Sequence, residues 1–444
     1  MSDQKKRVTR KVGSIETDRR KFLQAAAVGG AGVWIAGSVR PLRAESANEE
    51  IRFACIGVGG KGSSDSADAG KNGKVVAICD IDDERVAKAA ERFPDAKQYN
   101  DYRKMLDEME DSIDAVTVST PDHSHAPAAV MAMRKGKHCF CQKPMTHSLY
   151  ETRLMGQIAK EKGLTTQMGN QGTSTSGLRR GAATVKAGAI GDVHEVHIWT
   201  NRPIWPQGIA APEPSPKPDN VHWDLWIGPA KYRPYAKGYH PFAWRGWWDF
   251  GTGALGDMAC HTMNLPFAAL DMRSPLSVQA VTSGHDHVSY PKNSTITYEF
   301  GPRGDLPPMT MTWYDGGNVP ATELFEGEEI SESGSLMIGT KGKLYSAGDY
   351  GEHWKLLGAD EIDVDYVESP GHFTEFAEAI KSGGQSMSNF PNYATPLTET
   401  VLLGNLAVWA DGEKVEWDAE NLEAKGRPDL APIIQHEYRE GWTL

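Results

Sequence analysis

From residue 51 onward, apolar and polar positions alternate in blocks. Short, continuous apolar runs occur at 51–59, 74–80, 114–120, 137–143 and 164–169. Between them, 83–93, 101–109, 126–136 and 149–163 repeat their apolar residues at helical spacing, as in Val86, Ala89, Ala90 and Phe93. Alternating strands and helices predict βαβ units. Strands without a polar face predict a parallel sheet buried on both sides.

Beyond residue 170 the pattern changes. A helix is predicted over 174–187, then a longer strand of mixed faces over 191–205, a proline-rich loop over 203–218 and a tryptophan-rich stretch ending at Trp248. The later runs LSVQAVTSGHD, STITYEF, MTMTWYDGG and GSLMIGTKGKLYSAG alternate apolar with polar residues and predict neighbouring, largely antiparallel strands. Two closing helices are predicted at 372–383 and 395–412. The expected fold is α/β: a doubly wound parallel sheet of Rossmann type, followed by an α+β domain with a large, mostly antiparallel sheet. The expected domains are 1–44 (a leader), 50–170 (dinucleotide binding) and 171–444 (substrate binding and oligomerisation).

Residues 1–44 carry ten Lys and Arg against three Asp and Glu. They include TDRRKFLQ, followed by AAAVGGAGVWIAG. The Arg19-Arg20 pair ahead of a weakly apolar run has the form of a twin-arginine export signal and predicts a periplasmic protein. The alternative, a retained membrane anchor, has only 15 residues from Ala25 to Val39, against the roughly 20 needed to span a bilayer. The whole chain carries a net charge of −12. Without the leader, 37 basic residues face 56 acidic ones, a net −19, which argues against nucleic acid or an anionic membrane as partner. Of the five cysteines, four lie in strand-like runs and read as buried thiols; none has zinc-finger spacing.

The first strand ends in Gly57-Val58-Gly59-Gly60-Lys61-Gly62. A G-x-G-x-x-G spacing between a strand and a helix suits a diphosphate. The first glycine allows the turn, the second lets the ligand approach the backbone, and the third lets the helix pack closely. Asp80 ends the next strand, where its carboxylate would accept bonds from ribose hydroxyls and repel a 2′-phosphate. NAD is therefore expected in preference to NADP, with Arg85 as the residue that would accommodate the latter.

Three further motifs stand at Thr120-Pro121 with His125, at Gln142-Lys143-Pro144, and at Asp257 with His261 four residues later. Together with the glycine loop they make the chain resemble the glucose–fructose oxidoreductase/inositol dehydrogenase (Gfo/Idh/MocA) family over nearly all of 50–444. The resemblance implies that Lys143 is the active-site lysine and that the Lys143–Pro144 bond is cis. It also implies a cofactor site built from Gly57, Gly59, Gly60, Gly62, Asp80, Thr120, Pro121, His125, Gln142 and Lys143. The family usually has Glu where Gln142 stands, so an amide replaces a charge beside the lysine. Lys143 sits at a strand's carboxyl end, where open parallel sheets bind ligands. Burial there would lower its pKa.

On one helix over about 255–270, Asp257 and His261 share a face. His261 is then the acid–base group, and Asp257 orients it or binds a second hydroxyl. Helix capping and a metal pair are the alternatives, though no third ligand is evident and no metal is expected. Trp244, Arg245, Trp247 and Trp248 are expected near a sugar pocket, with Trp223 and Trp226 mostly structural. Tyr239, His240, Asn170 and Gln171 are further candidates for the same cleft.

These features predict an NAD-dependent oxidoreductase acting on a sugar or cyclitol, with tightly bound cofactor, assembled as a homo-oligomer (dimer or tetramer). An NAD-dependent glycoside hydrolase, working by transient oxidation, elimination, water addition and re-reduction, is the alternative. A sugar-binding protein without activity is the third reading.

Overall fold

The computed structural model describes residues 50–444, so the leader predicted over 1–44 lies outside the described residues. The first half alternates strand and helix as its patterning predicts, with one further short strand, Lys97–Tyr99, that the patterning does not predict. The order is β1 (Arg52–Ile56), α1 (Lys61–Asn72), β2 (Lys74–Cys79), α2 (Asp83–Arg92), β3 (Lys97–Tyr99), α3 (Tyr102–Glu108), β4 (Ala115–Val118), α4 (His125–Arg134), β5 (His138–Cys141), α5 (Leu149–Glu161) and β6 (Thr166–Met168). The six strands are parallel, in the order β3-β2-β1-β4-β5-β6. The chain reverses its direction of winding between β1 and β4, which opens a crevice at their carboxyl ends. β4 is buried throughout and β1 nearly so, which explains why both read as continuous apolar runs.

Local chemistry sets several boundaries. Asp82 caps α2 by accepting from the Glu84 amide. Ser148 and Glu151 form a reciprocal capping box that starts α5 directly after the Gln142-Lys143-Pro144 turn.

The second half comprises α6 (Ser176–Lys186), β7 (Val193–Trp199), α7 (Trp223–Ile227), α8 (Gly253–Thr262), α9 (Asn264–Leu270), β8 (Ser277–Thr282), β9 (Ser294–Phe300), β10 (Met309–Tyr314), β11 (Gly334–Gly339), β12 (Lys343–Ala347), β13 (His353–Leu357), α10 (His372–Ser382), α11 (Thr395–Trp409), β14 (Val415–Asp418) and β15 (Glu423–Ala424). Its sheet has nine strands, ordered β13-β12-β11-β7-β10-β9-β8-β14-β15. Only β7 and β10 pair in parallel; the other neighbours are antiparallel. The predicted helix over 255–270 is two helices that meet at Met263. Pro266 sits in the first turn of the second, where its missing N–H costs nothing. Among the described residues no helix is long and apolar enough to cross a membrane. All five cysteines are free and buried.

Asp315 locks the start of β9 to the end of β10. Its carboxylate accepts from the Ser294 amide (2.6 Å), the Ser294 hydroxyl (2.8 Å) and the Trp313 indole (2.8 Å). Asp315→Ala strands three buried donors and is expected to lower stability by roughly 3 kcal/mol, read by urea denaturation. Burial pushes this carboxyl up to about 6. Its raised native pKa contributes stability that is complete below its unfolded value and is lost as pH rises through about 6. The variant should lack that part of the pH dependence.

Candidate active site

The turn after β1 is held by backbone contacts. The Gly57 amide donates to the Cys79 carbonyl at 2.8 Å, and Gly57 adopts φ +77°. A Cβ there would lie 2.5 Å from the Ser119 carbonyl oxygen; one at Gly62 would lie 2.0 Å from the Gly57 oxygen. Such close backbone approach admits only glycine at both positions.

Asp80 closes the turn from β2. One carboxylate oxygen accepts from the Val58 and Gly59 amides at 3.0 and 3.2 Å, the other from the Asp82 amide at 3.1 Å. Burial raises its pKa, while Arg85 and those amides oppose the rise. The Arg85 side chain lies over Gly59, where an added Cβ would meet its Cδ at 2.4 Å.

A cavity of about 470 Å³ runs along this crevice, within the usual size of ligand pockets. Gly57, Gly59, Gly60, Asp80, Thr120, Pro121, His125, Gln142, Lys143 and His261 all line it. Gly62 packs beneath the loop, and Asp257 stands behind Lys143, so neither is part of the lining.

His125 braces the wall. Its ring nitrogens lie 2.8 Å from the Thr120 and Pro144 carbonyl oxygens, joining the turns after β4 and β5. Burial pushes its pKa down to about 4, so the ring is neutral and donates to one of the two. The Lys143–Pro144 bond is cis.

Lys143 Nζ donates to the Asp257 carboxylate (2.8 Å) and to the Asp257 main-chain carbonyl (2.5 Å). Arg245 Nε lies 2.9 Å from the same carboxylate oxygen, and Arg202 Nε 3.7 Å from the other. Burial alone would raise the Asp257 carboxyl. Lys143 and Arg245 outweigh it and hold the group well below the usual carboxylate range. Asp257 thus orients the lysine; the pairing with His261 read from their spacing is not formed.

His261 Nδ1 is buried without a hydrogen-bond partner, and its ring meets Tyr350 edge-on at 5.0 Å. Burial, reinforced by the Lys143 charge, holds its pKa well below the ordinary value. The imidazole is therefore neutral, and one ring nitrogen carries a lone pair.

The aromatic expectations need correction. Trp226 lines the cavity with Trp244, Arg245 and His240, whereas Trp223, Tyr239, Trp247 and Trp248 are buried in the core. Trp223 stacks on Trp226 at 4.6 Å and so supports a wall residue. Gln171 lines the cavity, but Asn170 is buried and bonded to Asn264 and Ser388.

Several lining residues escaped sequence reasoning, among them Asp122 and Tyr350. Asp122 lies inside the STPDHSH stretch. It accepts from the Thr252 hydroxyl at 2.6 Å, and burial, partly opposed by Arg245, pushes its carboxyl up to about 6. Its signal was its place directly after Pro121. Tyr350 arrives from the loop between β12 and β13, a contact without local sequence signal.

The profile of an oxidoreductase family with an NAD-binding Rossmann fold, Gfo/Idh/MocA, matches residues 51–170, and that of the family's C-terminal alpha/beta domain matches 193–444. The chain belongs to the Gfo/Idh/MocA oxidoreductase family. Its crevice fits the family's cofactor: Gly60 lines the cavity and a Cβ there would meet nothing within 4 Å, so the loop backbone is open to a diphosphate at that point. The chain is 27% identical to a levoglucosan dehydrogenase of Pseudarthrobacter phenanthrenivorans over 188 residues, 42% of this chain and 40% of the relative. It is 33% identical to a glycosyl hydrolase family 109 protein of Saccharopolyspora erythraea over 153 residues, 28% of this chain and 33% of the relative. The matched stretches thus span well under half of these curated relatives. The fold is similar to an aldose–aldose oxidoreductase from Caulobacter crescentus complexed with glycerol (TM-score 0.57, 17% identity, 83% of this chain and 100% of that one). It is also similar to an inositol dehydrogenase homologue from Azotobacter vinelandii complexed with NADH and myo-inositol (TM-score 0.57, 16% identity, 84% and 100%).

Proposed function

We propose that this chain is an NAD-dependent dehydrogenase of a carbohydrate or cyclitol. The observation that carries the reading is a single cavity lined by the glycine loop, Lys143 and the neutral His261. NAD, when bound, supplies the hydride-accepting ring.

The backbone of Gly57–Gly62 would cradle the diphosphate at the start of α1, and Asp80, with three amides already on its carboxylate, has one lone pair left for a ribose hydroxyl. Lys143 has one N–H beyond the two given to Asp257, and it holds the reacting hydroxyl through that proton. His261 takes the hydroxyl proton, and the Lys143 ammonium stabilises the oxygen as charge builds on it. Trp226 and Trp244 line the cavity where a sugar ring would lie, and the Arg245 guanidinium, 4.2 Å from the Trp244 ring centre, would meet its hydroxyl or carboxylate groups. A twin-arginine leader over residues 1–44 would carry the folded protein out of the cytoplasm, with its cofactor held through turnover. Denaturing the purified protein should release NAD, detected by mass spectrometry.

His261→Asn keeps a polar side chain but removes the base. It is expected to lower kcat by about 10²- to 10³-fold, with NADH affinity little changed. Because the native imidazole titrates well below its ordinary value, kcat/KM for oxidation should stay level as pH falls from 8 to about 6.5. A decline across that interval would show a base of ordinary pKa and would overturn the assignment.

A second reading is supported by the likeness to the family 109 glycosyl hydrolase protein. In it the same residues serve a cycle that ends in glycoside cleavage without net redox change. Accumulation of NADH with free sugars supports the dehydrogenase; cleavage of a nitrophenyl glycoside without NADH supports the hydrolase.

A further inference from the structure

The residue before Lys143 is an amide held at both its polar ends. Gln142 Nε2 donates to Asp65 Oδ2 at 2.9 Å, and the same oxygen accepts from the Ser119 hydroxyl at 2.7 Å. Asp65 Oδ1 accepts from Lys61 Nζ at 2.7 Å. Gln142 Oε1 accepts from the Lys143 amide at 3.4 Å. Asp65 and Gln142 are 2% and 6% exposed. Behind the amide the Gly169 backbone packs so closely that a Cβ there would lie 2.5 Å from it. The amide nitrogen must therefore face a carboxylate, and the amide oxygen must face the backbone of the lysine.

We propose that Asp65 is a positioning residue, which fixes Gln142 and thereby couples the glycine-loop helix α1 to the placement of Lys143. The inference rests on the functional reading of Lys143 given above. Three strand ends converge on this carboxylate: the helix following β1 supplies Asp65 and Lys61, β4 leads into Ser119, and β5 leads into Gln142. A shift of the phosphate-binding loop is transmitted to the lysine through one buried hydrogen bond. The bond also dictates residue identity. At position 142 a carboxylate would confront Asp65, whereas an amide completes it.

The test exchanges the polarity of the pair. Gln142→Glu places two carboxylates in hydrogen-bond contact away from water, where both cannot ionise together. The charged groups around position 142 are Asp65 and Lys61 from α1 and its neighbour Lys143. The nearby Cys55 and Cys141 thiols are raised by burial and stay neutral. The single variant is expected to lose about 100-fold in kcat at pH 8, the scale of an ångström-sized misplacement, and to recover much of it at pH 6 as the pair takes up a proton. Its melting temperature relative to the wild type should rise over the same interval.

Adding Asp65→Asn restores a donor opposite the new carboxylate. Its Oδ1 still accepts from Lys61, and the Ser119 hydroxyl turns to accept. The double variant should regain kcat at pH 8 to within about 5-fold of wild type, a recovery no merely structural role predicts. The inference is overturned if Gln142→Glu keeps wild-type kcat at pH 8. It is equally overturned if the double variant folds and binds NADH but stays as slow as the single one. Absence of NAD-dependent turnover in the wild type defeats the functional reading instead. The pH-dependent melting of the single variant then still tests the Asp65–Gln142 pair.

Discussion

Lys143→Met should lower kcat by about 10³-fold, equivalent to roughly 4 kcal/mol of transition-state stabilisation, while NADH affinity stays within a few-fold of wild type. The size of the effect follows from where the ammonium sits. Its side chain is only 12% exposed. It reaches past the end of β5 into the cavity and is aimed by two bonds to Asp257, one to the side chain and one to the main chain. A charge held in this way needs no rearrangement when negative charge develops on the substrate oxygen. Met keeps the length of the side chain and removes the charge and the donors. Asp257 keeps Arg245 at 2.9 Å, so the variant does not strand a buried carboxylate and should fold. Rapid-mix measurement of NADH formation reads the chemical step apart from product release. Wild-type single-turnover rates in Lys143→Met would remove the lysine from the mechanism.

The fold was legible because both halves carry their burial in their periodicity. β4 is buried on both faces and reads as an uninterrupted apolar run. The strand Ser294–Phe300 alternates buried with less buried residues and reads as a one-sided sheet. β3 did not announce itself. It is three residues long, it lies at the sheet edge, and its Lys97 and Gln98 are exposed, so no apolar signal exists to find. β13 was missed for a related reason: it is the other sheet's edge strand and exposes His353 and Lys355.

At the site, the residues that follow strand ends were readable because the parallel sheet itself dictates where they go. Gly57, Asp80, Thr120 and Lys143 meet at one crevice for that reason. Partnerships between distant segments were not readable. Four-residue spacing puts Asp257 and His261 on one helical face, but Lys143, 114 residues away from Asp257, takes its carboxylate. Trp226 and Trp247 could not be sorted into wall and core from composition, since both are large, buried and flanked by similar residues.

Gly62→Ala tests the other half of the site and should abolish cofactor binding without touching a reacting group. Gly62 opens the first turn of α1, with its amide donating to the Gly59 carbonyl at 2.9 Å. An added methyl would lie 2.0 Å from the Gly57 oxygen and 2.7 Å from its carbonyl carbon. Those atoms are backbone, and they cannot retreat. Gly57 is tied to Cys79, and its own Cα faces the Ser119 carbonyl. Relief requires α1 to move off the loop, which spoils the diphosphate cradle and pulls Asp65 from Gln142. NADH affinity should fall by about 100-fold or more, and stability by roughly 1–3 kcal/mol, the usual cost of overpacking. Gly383→Ala, outside the cavity, is the control. Its Cβ meets nothing within 4 Å, and only its left-handed backbone, φ +67°, opposes it, at a cost of about 1–2 kcal/mol, so it should still bind. Fluorescence titration with NADH compares the three proteins. Equal affinity of Gly62→Ala and wild type would mean that the dinucleotide does not lie against this loop. Lost binding here, set beside retained binding without turnover in Lys143→Met, would separate the part of the crevice that holds the cofactor from the part that performs the chemistry.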